Sequence, residues 1–446
     1  MREVAILAWP LIVANISQTM LGVVDTAILG HLDDPLHLGG VAVGTAIFSF
    51  LFWGFGFLRM GTTGMTAQLS GAVERGAQES AALKALLARA AMLAVGIGLC
   101  TIALRGPLFS YGVEVLGAEP AVAEATLLYS SIRVFGAPLV LINFVATGWL
   151  IGLRAPKAVL AIMVAINVAN VVLDLVFVLG LGMTVDGVAL GSVLAEAIGL
   201  SLAAWLVRTH WRRLPGQVDS RKLFSLAAYR QLIAVNRDLF LRTLALLSVF
   251  AFFTAEGARQ GAVVLAANAI LLNFFYLSAH ALDGFAQAIE VLAGRALGGR
   301  DVRRFHAAVG AALIWCLGTA ICYATLLGLF SGGLIGLFTD LQPVVRVAIS
   351  YVGWMVVIPL LAAICFLMDG VFIGATRARA MRDTMIVSVF LITLPIWWLT
   401  RGLGNHGLWL AFASFFAARS LGLGAVYIYY SRTDHWLNPE PAMREG

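Results

Sequence analysis

The chain has 446 residues, 61% of them hydrophobic and only 12% charged, with a mean hydropathy of +0.91. A soluble protein of this length carries about 25% charged residues, so a water-soluble fold is excluded. The formal net charge of +6 comes from arginines in short loops between apolar runs, which is not the footprint of a nucleic-acid surface.

Twelve apolar runs are long enough to cross a hydrocarbon core of about 30 Å: 4–32, 38–70, 81–104, 120–151, 157–181, 185–207, 231–256, 261–295, 306–332, 342–375, 382–400 and 406–431. The expected fold is therefore an all-α polytopic membrane protein. The first run is too long, and too interrupted by Pro10 and Asp25, for the apolar region of a cleaved signal, so it should persist as a span. Pro10 lacks a backbone donor and permits a bend. Asp25 costs about 2.5–3.5 kcal/mol at mid-depth in a lipid-spanning helix, so it needs a partner, water or a proton.

Spans five and six offer partners. Asn170 and Asp174 form N-x-x-x-D, which puts both on one helix face. At 1.5 Å per residue, Asp25 lies about 21 residues from the inner end of span one, and Asn170 and Asp174 about 13 and 17 from that of span five. Ser192 stands about seven residues past the outer start of span six. Two carboxylates, an amide and a hydroxyl thus reach the outer half of the membrane together. Carboxylates sharing a low-dielectric site compete for one cation, so the set suits H⁺ or Na⁺. The plainer alternative is that each group bonds a neighbouring helix.

The most polar stretch, Arg208–Arg230, divides the chain into 1–207 with six spans, a linker at 208–230, 231–431 with six more, and a tail at 432–446. The halves resemble each other. Gly148-Trp149-Leu150-Ile151-Gly152 and Gly370-Val371-Phe372-Ile373-Gly374 are offset by 222 residues (148 to 370), and Gly71 and Gly294 by 223 (71 to 294). Val41–Gly44 answers Leu265–Asn268 at 224 (41 to 265). Six-span halves run in the same direction and would be related by an axis along the membrane normal, an architecture suited to alternating access. The loops rich in Arg and Lys alternate with loops nearly free of them, which places both termini in the cytoplasm.

In the second half, Arg242 on span seven and Asp283 on span eight share a depth and form a candidate ion pair. Glu290 and Asp369 lie in the inner part, and Asp369 also fits a solvated helix end. Arg59, Arg133 and Arg419 lie within spans with no partner legible. Phe144, Phe253, Phe274 and Tyr276 are candidates to line a cavity, whereas Met20, Met60, Met163 and the four cysteines (Cys100, Cys316, Cys322, Cys365) read as core. No H-E-x-x-H, G-x-S-x-G or Walker A motif occurs, so an enzyme is not expected. With no nucleotide-binding element, transport would run on an ion gradient, with no cofactor other than H⁺ or Na⁺.

Several stretches together resemble the multidrug and toxic compound extrusion (MATE) family, in its DNA-damage-inducible protein F (DinF) branch. They are LGVVDTAILGHLDDPLHLGGVAVG (21–44), FLRMGTTGMTAQLSGA (57–72), NVANVVLDLVFVLGLGM (167–183), NRDLFLRTL (236–244), ALDGFAQAIEVLAG (281–294) and MDGVFIGATRARAMRD (368–383). The resemblance implies twelve helices in two six-helix lobes and efflux of small organic cations or amphipathic compounds in exchange for H⁺ or Na⁺. It also implies a cation site at Asp25, Asn170, Asp174 and Ser192, a departure from the family's Thr at the last position. A helix-one hinge falls on Pro10, and cavity-lining groups on Gln18 and Asn143. The acid pair that holds Na⁺ in the C-terminal lobe of another branch has only Asp369 as a counterpart here. The expected setting is the cytoplasmic membrane, with the protein a monomer in the lipid bilayer. A lipid-linked precursor flippase of the same superfamily is the nearest rival, kept open by Arg59, Arg133 and Arg242. A membrane-embedded transferase would need paired acids at metal spacing near one interface, which the sequence lacks.

Overall fold

The computed structural model describes residues 1–29, 35–76, 78–219 and 223–437, with the side chains of 18–29 and 35 outside that description. Among the described residues every regular element is helical. A chain this apolar has no other choice, because in lipid each backbone N–H and C=O must be satisfied within its own segment.

The helices are α1 (Arg2–Leu29), α2 (Leu36–Glu74), α3 (Ala81–Ala103), α4 (Pro120–Gly152), α5 (Pro156–Gly180), α6 (Val185–Arg213), α7 (Leu226–Arg259), α8 (Ala262–Gly298), α9 (Val302–Gly336), α10 (Gln342–Gly374), α11 (Ala378–Leu403) and α12 (Asn405–Arg432). Eleven of them, α2 to α12, are long and apolar enough to cross a membrane. The first, α1, has 28 residues. A short helix, Arg105–Leu116, joins α3 to α4. The expected spans and the observed helices coincide to within a few residues, since Gly, Pro and charge clusters mark the ends.

Several helices depart from α geometry, in two cases beside a proline, which removes a donor. Pro138 cannot bond the Val134 carbonyl, and α4 tightens into a 3₁₀ turn at Val134–Gly136. In α11 a wide π turn spans Ser388–Thr393, ahead of Pro395. A second wide turn, Leu175–Gly180, follows directly on Asp174 in α5. Such turns are frequent at functional sites.

The chain forms two compact units, one of Val13–Leu232 and one of Met1–Ile12 with Ile233–Gly446. In the first, α4 is the central helix, packed on α2, α3 and α6, with α5 against α6. In the second, α10 is central, packed on α8, α9 and α12, with α11 against α12. The two plans are the same, six helices on. The glycine pairs read from the sequence explain the central position. A Cβ at Gly148 or Gly152 would collide with the Arg59 carbonyl or with Thr66 of α2, and one at Gly370 or Gly374 with the Ala286 or Glu290 carbonyl of α8. Small residues let backbones touch, the main source of helix association in lipid.

The second unit has an aromatic core, with Phe253 on Trp409 at 4.6 Å between ring centroids and Phe275 on Phe416 at 5.1 Å. Phe253 and Phe274, candidates for a cavity wall, are buried in this core. A reciprocal amide pair locks it: Asn268 donates to Asn405 Oδ1 at 2.9 Å, Asn405 donates back at 2.8 Å, and Trp409 Nε1 donates to Asn268 Oδ1 at 3.0 Å. The smaller core of the first unit holds Val41, Phe48, Phe109 and Tyr129.

Candidate functional site

In the first unit, α5 turns one polar face to α6. Asn170 and Asp174, only 2% and 1% exposed, lie one turn apart on that face. Asn170 Nδ2 donates to Ser192 Oγ of α6 at 3.4 Å. The Asp174 carboxylate fits against Gly191, where any Cβ would strike Oδ1. Gly191 therefore decides how closely the acid approaches the Ser192 turn. One turn inward along α5, Asn167 Nδ2 donates to Ser17 Oγ at 3.0 Å, which ties α5 to α1. Asn170, Asp174 and Ser192 are thus brought together. Asp25 and Gln18 fall on α1, but their side chains lie outside the described residues. Pro10 is buried on the same helix.

Asn143 engages a residue that the sequence reading passed over. Its Nδ2 donates to Glu196 Oε2 at 2.9 Å and to the Glu196 carbonyl at 3.2 Å. Glu196 sits on α6 four residues past Ser192, so both side chains occupy one helix face. The signal was present, because an acid inside an apolar span is a functional candidate by default. Arg133 of α4 lies within electrostatic reach of Glu196. Its guanidinium stacks over Phe48 at 5.6 Å and Phe52 at 5.4 Å.

The second unit gathers charges from four helices. Asp369 of α10 accepts hydrogen bonds at one oxygen, Oδ2, from Arg242 of α7 and from Arg419 of α12 at 2.5 Å. The side chains are 7%, 11% and 3% exposed for Arg242, Asp369 and Arg419, so the solvated helix-end reading of Asp369 is overturned. Arg242 forms its salt bridge with Asp369, whereas Asp283 of α8 stands half-buried within electrostatic reach of Arg419. Arg419 also stacks over Phe415 at 5.3 Å. Glu290 is 2% exposed, on the stretch of α8 against which Gly374 packs. Two guanidiniums on one carboxylate make a rigid cross-brace, not an open acid pair. Among the described residues no group of three or more His, Cys, Asp and Glu side chains is disposed to hold a metal ion.

The two units therefore differ in chemistry despite their shared plan. The first holds Glu196 beside Asn143, and Asp174 one turn from an Asn170 bonded to Ser192, whereas the second holds Asp369 matched by two arginines. Comparison with known proteins agrees with this architecture. The MatE family profile matches residues 10–176 and 239–399. DNA damage-inducible protein F of Escherichia coli (strain K12) is 39% identical over 435 residues, covering 96% of this chain and 92% of that protein. The multidrug resistance protein NorM of Vibrio cholerae serotype O1 is 25% identical, covering 97% and 95%. Among solved structures, a multidrug resistance MATE family transporter of the MOP superfamily in an outward-facing conformation superposes with a TM-score of 0.86 at 19% identity, covering 97% of this chain and 96% of that one. A MATE protein in the bent conformation gives 0.88 at 18% identity, covering 98% and 97%. At those identities the structures speak for the fold.

Proposed function

The chain belongs to the MatE family, a family of multi-pass membrane transporters and not enzymes, and from that premise we propose that it is a proton-coupled antiporter. It exports small organic cations or amphipathic compounds by alternating access across the cytoplasmic membrane, with both termini in the cytoplasm. The observation that carries this reading is the meeting of Asp174, Asn170 and Ser192 inside a membrane-buried helix pair, joined to α1 through Asn167 and Ser17. An acid in that setting binds and releases a cation at a cost the membrane gradient can supply. In the cycle we propose, an outer-side proton binds at Asp25 and Asp174, α1 bends at Pro10, and the substrate is expelled. Proton and substrate favour opposite states, as linkage requires of an exchanger.

Two observations weigh against the flippase reading. Arg242 is engaged by Asp369, and Arg133 is packed on Phe48 and Phe52, so neither is an open headgroup anchor. The discriminating experiment is uptake of a fluorescent organic cation into proteoliposomes, first under an imposed pH gradient and then under a Na⁺ gradient alone. Proton coupling predicts uptake in the first arm only. Uptake driven by Na⁺ alone would overturn proton coupling, and silence in both arms would overturn antiport.

A further inference from the structure

We propose that Glu196 is a further proton-binding carboxylate of the first unit, beyond Asp25 and Asp174, held in place by Asn143 and reached from the Asn170–Ser192 pair along one face of α6. The inference rests on the antiport reading above and adds a residue to it.

Three features of the geometry support the assignment. First, position: Glu196 lies four residues past Ser192, about 6 Å further inward along the helix axis, so it continues the outer cluster toward mid-membrane. Second, coordination: Asn143 is 2% exposed and directs both bonds of its Nδ2 at Glu196, to Oε2 and to the backbone carbonyl. Two acceptors facing one nitrogen fix the amide orientation as donor. A donor N–H cannot ligate a metal cation, yet it can bond a carboxyl oxygen in either the charged or the neutral form, more strongly in the charged one. Among the described residues Oε1 makes no hydrogen bond, which leaves one oxygen for a proton. Third, charge: no guanidinium or ammonium is within salt-bridge distance of Glu196 among the described residues. Contrast Asp369, clamped by two arginines. Glu196 has an amide at bonding distance and Arg133 only at longer range, so its neutral form strips no guanidinium of a bonded partner.

The surroundings add little that competes. From α4 come Arg133, at electrostatic range, and Asn143. From α5 come Asn170 and Asp174. The outer half of α2, Pro35–Phe55, contributes a single titratable side chain, His37, near its first turn. On α6 itself, Asp186 is occupied by the backbone N–H of Thr184 at 3.0 Å. Gly199, three residues past Glu196, keeps α5 close to α6, since a Cβ there would strike the Ile166 side chain. The step itself is a protonation: a proton from water adds to Oε1 and later returns to water, with no other bond made or broken. Asn143, a cavity-wall candidate in sequence, becomes in this view a positioning residue.

The test uses the full-length protein in proteoliposomes with ethidium as the transported cation. Two quantities are read: uptake driven by a pH gradient, across a series of external pH values, and ethidium counterflow at equal pH on both sides. Glu196→Gln should lower gradient-driven uptake at least tenfold while keeping counterflow within twofold of wild type. Glu196→Asp should restore uptake with a displaced pH profile, and Asn143→Ala should displace the profile without abolishing uptake. Wild-type uptake and pH profile in Glu196→Gln would overturn the proposal. So would parallel loss of uptake and counterflow in both Glu196 variants, which marks a structural role. A wild-type protein silent under every gradient would instead overturn the antiport reading, and this inference with it.

Discussion

Arg419 and Asp369, fifty residues apart in sequence, meet at 2.5 Å inside the second unit, on the same carboxylate oxygen that takes Arg242. This one acid holds α7, α10 and α12 together. Breaking a buried ion pair by removing one partner costs about 3–5 kcal/mol, because the other charge is left uncompensated. Asp369→Asn strands two guanidiniums, whereas Arg242→Gln leaves Asp369 still matched by Arg419. The melting temperature of the detergent-solubilised protein should therefore fall further in Asp369→Asn. In a double-mutant cycle, Arg242 and Asp369 should couple by about 0.5–3 kcal/mol; purely additive effects would contradict the shared-oxygen geometry.

Gly191 and Asp174 make a sharper functional prediction. A methyl group at position 191 would occupy the space of the Asp174 carboxylate. Gly191→Ala should leave the protein correctly inserted and monodisperse, and still lower gradient-driven export several-fold by displacing the acid from the Ser192 turn. Unchanged export in that variant would show that the placement of Asp174 against α6 does not matter.

The outer cluster itself predicts a graded series. Asp174→Asn, and Asp25→Asn on α1, should abolish gradient-driven export of a fluorescent cation. Ser192→Ala should reduce it only a few-fold, since it removes a single acceptor, and Ser192→Thr should keep it. Initial rates in inverted vesicles would establish the order.

The glycines of the central helices predict stability. Gly370→Ala would drive a methyl group into the Ala286 carbonyl and should sharply reduce the yield of folded protein. Gly310 of α9 has nothing within 4 Å of its added Cβ, so Gly310→Ala should be neutral or stabilising by up to about 1 kcal/mol. Thermal unfolding of the two variants side by side provides the comparison.

The Asn268–Asn405 pair predicts an asymmetry. Asn268→Leu leaves both Asn405 and Trp409 Nε1 without a buried partner, at about 1–3 kcal/mol for each unsatisfied group. Trp409→Phe removes only one donor and leaves the amides paired, so its melting temperature should stay closer to wild type.

The sequence by itself determined the helices and the likeness of the two halves. In lipid, every backbone group must bond within its own segment, so apolar runs, prolines and loop charges dictate where helices begin and end. The matched glycine pairs 148/152 and 370/374 marked the likeness of the two halves, and the structure shows their use, since a Cβ at any of them would strike the neighbouring helix. The N-x-x-x-D spacing put Asn170 and Asp174 on one face, and helical rise put Ser192 at their depth.

What sequence could not supply was azimuth. Arg242 and Asp283 share a depth, yet the salt bridge of Arg242 runs to Asp369, because rotation about the helix axis selects the partner and no residue count reports it. The same freedom hid the use of Asn143, whose amide turns to Glu196. Glu196 was visible as a letter in an apolar span, and only the packing of α4 on α6 gave it a hydrogen-bonding partner. Only the tertiary structure decided that Asp369 is clamped by arginines while Glu196 is bonded by an amide. That difference lies in which helix faces meet, and side-chain packing sets it.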